Sequence, residues 1–505
     1  MSYLRDTLKG LLLIFFFFSC SLFAQEKKVH EIHHAAEETA FSKKLGEDII
    51  RLLGVDSIWF DDVFLTCDSA HLNQKNKTFR GFGRVHIIKA DTLQLWGDKL
   101  NYDGKRKMIQ LDGHVRMEQN ESILKTSHLN YNMNEEIAWY YDGGQIFDGN
   151  NQVESGWGYY YLEIEDYYFK DDVFLSNEDN TMSTDTLFYN SETEFVKFLG
   201  PTQIFGDTNY IYCENGWYDS QNNLSGFYQK AYFQSREQVM EGDSLIYDRE
   251  NEISWAYGNV KARDTIQNSI IYGEKLYFDE QSDHIEVTEN ALYVMVDGPD
   301  SLFLHADTLL SYQIDSIKSR KIVAFHKVQF YRDDIQGRCD SLGYVVADSI
   351  IQLFSEPILW QEKNQLTAVL IKIKLGDQGI KHIEMDDKGF LITEIDSLHY
   401  NQVKGKSVIG YFENNSLNRV MVVGNGESIF YPEDNNGQIG LNKVLSSQIQ
   451  MGFKDGKVHL VKFITDPESE LTPMSQIEEN DKFLEGFIWK IDLRPKGKTD
   501  LYKWK

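Results

Sequence analysis

Along most of the chain apolar and polar residues alternate with a period of two, as in Ser122-Ile-Leu-Lys-Thr-Ser-His-Leu-Asn-Tyr131. That period puts successive side chains on opposite faces of a strand, and the Tyr, Phe, Val, Ile and Thr that fill the runs suit a pleated, half-buried surface. Turn signals such as Asp103-Gly104, Asp112-Gly113 and Asp148-Gly149 fall between the runs, and the whole chain has only seven prolines. A helical solenoid would space apolar residues three and four apart, which almost nothing here does. One stretch, Ala35 to Leu53, has the composition of an amphipathic helix. Gly54-Val55 nevertheless falls one period before Gly83, so the strand pattern is extended back over it.

The runs repeat. Gly97-Asp-Lys-Leu-Asn-Tyr102, Thr184-Asp-Thr-Leu-Phe-Tyr189, Gly242-Asp-Ser-Leu-Ile-Tyr247 and Gly273-Glu-Lys-Leu-Tyr-Phe278 share one template ending in an aromatic slot. The slot recurs at Leu72, Tyr102, Tyr131, Tyr160, Tyr189, Tyr218, Tyr247, Phe278, Ser311, Tyr344, Lys372 and Tyr400, with 29 residues between neighbours from Tyr102 to Tyr247. Gly54, Gly83, Gly113, Gly200 and Gly258 keep phase with it. The expected fold is all-β: an elongated repeat β-jellyroll or solenoid-like twisted sheet with units of about 29 residues, each of which needs its neighbours to close a core.

The first 24 residues read as an export signal, with Arg5 and Lys9 before the apolar run Leu11 to Phe18 and small residues up to Ala24. A rival reading makes Cys20 a lipidated N-terminus. Without that signal, two of the 51 basic and one of the 78 acidic residues are removed and the net charge is −28, which repels nucleic acid. The expected domains are a signal at 1–24, a β-repeat region at 25–465, divisible into two or more stacked jellyroll segments, and a linker with C-terminal segment at 466–505. The linker is polar and holds Pro467 and Pro473; the segment after it, from Phe483, is apolar with a basic end, suited to capping the last strand or docking a partner.

No catalytic, cofactor or metal residue stands out. Cys67, Cys213 and Cys339 each lie five residues before an aromatic slot, so they share one structural position and read as core residues too far apart for a disulfide. The aromatic column suits a core ladder better than a sugar platform. Recurrent Asp98, Asp185, Asp243, Asp307, Asp340 and Asp396 suit turn ends or water better than calcium. His30, His33 and His34 lack the further rigid ligands that zinc wants.

The succession Cys67-Asp-Ser-Ala70, Gly83-Arg-Val-His86, Gly97-Asp-Lys-Leu-Asn-Tyr-Asp103 and Leu111-Asp-Gly-His-Val115 resembles the OstA-like domain of the LptA-type lipopolysaccharide-transport proteins, in the long form of Bacteroidetes-type bacteria. The resemblance implies a twisted β-jellyroll, open along one side, whose apolar groove shields the acyl chains of lipopolysaccharide. It implies partners too: lipopolysaccharide itself, and other jellyroll proteins of the bridge joined by edge-strand pairing. It places the protein in the periplasm, with association with the outer membrane left open, and makes it a carrier with no cofactor and no enzymatic activity. The chain after the repeats is too short for a translocon barrel. An exported scaffold or adhesin and a β-helix polysaccharide-degrading enzyme stay in play, and alternation alone does not tell which residues face lipid, because a one-residue shift exchanges the faces.

Overall fold

The computed structural model describes residues 31–504, apart from 42–45, 47, 91, 267, 299–300, 315–318, 377–378, 415, 435–436 and 455–456. The expected export signal, Cys20 and His30 lie outside the described residues. Strand makes up 74% of the structure and helix 3%, so the fold is the all-β repeat that the alternation predicts. Among the described residues no helix is long and apolar enough to cross a membrane.

Two compact units divide the chain. The first runs up to Asn120, with Asn132–Asn134, and holds strands His33–Phe41, Ile49–Phe60, Val63–Asn73, Thr78–Lys89, Leu93–Asp103 and Met108–Gln119. Each pairs antiparallel with the next. The described residues of the stretch with helical composition lie mostly in strands His33–Phe41 and Ile49–Phe60, which pair with one another and bury Leu52. The second unit repeats the same arrangement, for example from Asp166–Ser176 through Asn180–Asn190, Phe195–Gly206, Tyr210–Asp219 and Leu224–Gln234.

Nearly every strand is bent at one place by a bulge, seen as a register shift in pair after pair. The bulge consists of two successive residues with positive φ: Gly83-Arg84, Gly113-His114, Asp171-Asp172, Gln229-Lys230, Gly258-Asn259, Glu289-Asn290 and His326-Lys327. The glycine landmark of the repeat is thus the first residue of a bulge. Glycine is required where an aspartate of the preceding strand lies over it; a Cβ on Gly83 would sit 2.2 Å from Asp68 Oδ2, and one on Gly258 2.2 Å from Asp243 Oδ2. The same aspartates brace the second bulge residue, as Asp68 does with Arg84 at 2.6 Å, Asp98 with His114 at 2.8 Å and Asp307 with Lys327 at 3.1 Å. Asp396 instead caps a turn, accepting from the Leu398 and His399 amides at 2.8 and 3.0 Å.

Cys67, Cys213 and Cys339 pair with Val55, Thr202 and Val328, each next to a register shift. All three thiols are free and buried. Burial pushes Cys67 up to about 11 and Cys213 and Cys339 up to about 12, so these are inert core groups.

Candidate functional site

The bulge folds each strand's inward face into two walls. In the second unit one wall is the cross-strand row Ile204, Ile211, Phe233, Met240, Ala262, Ile271, Tyr293 and Leu304. The other, past the bulge, includes Leu245, Ala256, Leu276, Val287 and Leu309. Beside that row runs the aromatic slot itself, in which Tyr247, Ser254, Phe278, Ile285, Ser311 and Ile322 are successive partners.

In the first unit the slot is filled. Phe60, Phe79 and Tyr102 are almost fully buried, with ring centroids 4.5 Å (Phe60 to Tyr102) and 5.0 Å (Phe79 to Tyr102) apart. In the second unit Tyr160 and Tyr167 still stack at 4.0 Å, but Tyr189, Tyr218, Tyr247 and Phe278 are only half-buried. Between the two walls there lies a cavity of about 130 Å³, lined by Phe233, Met240, Ile271, Phe278, Val287 and Leu309 among others. Its lining is mainly apolar. The aromatic column is therefore core where it is complete and cavity wall where it loosens.

The C-terminal region supplies a feature that the sequence left open. The stretch expected as a linker contains strand Glu468–Pro473, paired with Gly440–Lys454. Beyond it, residues 474–504 form a strap of short 3-10 turns crossing the outer face of the sheet. Three buried glutamines on that face hold its main chain and a fourth holds the Arg494 side chain. Gln402 donates to Lys482 O at 2.7 Å and accepts from Leu484 N at 2.9 Å; Gln365 donates to Ile488 O at 2.7 Å and accepts from Lys490 N at 2.8 Å. Each carboxamide thus bonds the strap as a neighbouring peptide group would. Further along, Arg494 donates to Gln336 Oε1 at 2.7 Å and Gln329 donates to Leu501 O at 2.9 Å. Leu484 anchors one end among Phe390, Ile392, Ile429, Tyr431 and Leu441; Leu501 anchors the other against Leu292 and Val294.

Near the strap's tip the Tyr502 ring rests 4.6 Å from that of His305, which is buried and bonded through Nδ1 to Ala291 O at 2.9 Å. Desolvation lowers the His305 pKa, with Lys327 acting the same way and the Ala291 bond and Asp307 opposing. The ring is neutral in the fold and titrates near 6.5 once exposed, so its contribution is intact above about pH 6.5 and is lost as pH falls below it. Hydrogen exchange across residues 498–504, corrected for intrinsic rates, is expected to quicken between about pH 7.5 and pH 5.5, and His305→Gln to abolish the change. Equal protection at both pH values would show that His305 does not control the tip.

Residues 26–185 match the family model described as OstA-like protein. No curated protein matches the chain. Among solved structures, LptH of Pseudomonas aeruginosa, described as the LptA homologous periplasmic component of the conserved lipopolysaccharide transport device, is 13% identical. That alignment covers 28% of this chain and 95% of the LptH chain, with a TM-score of 0.23. Over residues 26–185, about a third of its length, the chain is similar to the OstA-like family.

Proposed function

We propose that this protein is a periplasmic lipid carrier, not an enzyme, which shelters acyl chains of lipopolysaccharide between the two inner walls of its sheet and joins other jellyroll proteins of a transport bridge through edge strands. The observation that carries this reading is the apolar cavity at the loosened aromatic slots of the second unit. Each methylene moved from water into such a lining contributes about 0.8 kcal/mol. The OstA-like match over residues 26–185 supports the same class of cargo.

The test places a photoreactive side chain at inward Leu276 or Ile285 and, as controls, at outward Tyr277 or Glu286 one residue away. Lipopolysaccharide is expected to crosslink at the first pair and not the second. Crosslinks confined to the outward positions would refute the carrier reading.

A further inference from the structure

The aromatic column is interrupted inside the cavity. Between Phe278 and Tyr344 the slot is held by Ser311, whose side chain leaves space where other repeats carry a ring. Arg320, two residues before Ile322 and on the same inward face, reaches into that space and donates from Nη1 to Ser311 Oγ at 3.0 Å. Its Nη2 is ion-paired to Asp283, which belongs to the turn following strand Ser269–Asp279 and also accepts from Gln313 Nε2 at 3.1 Å. Arg263 and Asp264 also line the cavity and offset one another in charge.

A guanidinium beside an apolar cavity, holding a carboxylate borne on a turn, has the parts of a site for an acidic head with an alkyl tail. The guanidinium fork matches a carboxylate or phosphate. Asp283 presents that same group without a tail. An incoming amphiphile would gain the methylene burial that Asp283 lacks, while Asp283, already about a third exposed, returns to water.

We infer that the cavity takes a single-chain anionic amphiphile, an alkyl chain ending in a carboxylate or phosphate, whose head displaces Asp283 from Arg320. This rests on the lipid-carrier reading and adds to it the class of head group and the residue that selects it. Asp283 is then a latch: it competes with cargo for one cation and closes the rim when the cavity is empty.

Decanoate and decanol, which share a chain length and differ in the head, are the probes, titrated into the full chain by calorimetry. Decanoate is expected to bind the unaltered protein roughly two- to fivefold more tightly than decanol, the scale of a partly exposed ion pair. Asp283→Asn should tighten decanoate by a similar factor. Arg320→Gln should erase the preference for the acid. Neither substitution should move decanol, which therefore also reports that each variant is folded. Equal binding of acid and alcohol to the unaltered protein, or weaker decanoate binding in Asp283→Asn, overturns the head-group assignment and leaves the carrier reading standing. Failure of both probes to bind sinks the carrier reading itself. Displacement of bound decanoate by added lipopolysaccharide would identify lipopolysaccharide as a source of this chemistry, and lack of displacement would assign the site to free acids.

Discussion

A chain ending at Pro473 is expected to unfold at markedly lower urea concentration than the full protein and with a broadened transition. Strands in a repeat sheet touch only their neighbours, so stability is a sum of local terms and ends fray independently. The strap alters this by bonding Gln402, Gln365, Gln336 and Gln329, which lie on four different strands. Its apolar anchors Leu484 and Leu501 are 3% and 0% exposed, and each Leu→Ala substitution there is expected to cost about 2–5 kcal/mol. Trp360, fully buried between Gln336 and Gln365 in the same cross-strand row, gives the readout, since loss of the strap should shift its fluorescence to longer wavelength. Unchanged midpoint and slope in the truncated chain would mean that the strap is a passenger.

Gly216→Ala should destabilise the second unit by about 3 kcal/mol, the upper range for overpacking a core. An added Cβ would lie 2.2 Å from the Phe198 ring and 2.7 Å from the Gly226 carbonyl oxygen, so that both a fully buried ring and the adjoining backbone would have to give way. The control is Gly343→Ala, whose nearest neighbour is a Phe354 ring atom at 3.8 Å, and it should stay within about 0.5 kcal/mol. Denaturation midpoints compare the two. Similar midpoints would mean that the sheet relaxes around Gly216.

The strands and their beat were legible because Tyr102, Tyr131 and Tyr160 mark the slot where the core is tightest, and a large ring there leaves a visible period. The bulges were only half legible. Gly83, Gly113 and Gly258 advertise them, but Asp171, Gln229, Glu289 and His326 adopt the same left-handed backbone without a glycine. That omission hides which residues face inward, because the bulge resets the parity of a strand. In Ser269–Asp279 the cavity side is Ser269 and Ile271 before it, then Leu276 and Phe278 after it. Strict alternation therefore assigns half of each strand to the wrong wall. The strap was legible only as an apolar segment from Phe483 with a basic end; where it docks was not, since Gln329, Gln336, Gln365 and Gln402 meet their partners only in three dimensions.

The sequence separation of the strap's bonds has a consequence for the order of assembly. Strand pairs join segments a few tens of residues apart, and such local contacts form as soon as both members are present. Gln402 meets Lys482 across 80 residues, and Gln329 meets Leu501 across 172. When the chain emerges N-terminus first, the early repeats can zip up behind one another while the outer face from Ile270 to Leu441 waits uncovered for residues 474–504 to arrive. A copy lacking residues 474–504 would leave the buried Gln329, Gln365 and Gln402 without the main-chain partners that they have in the full chain.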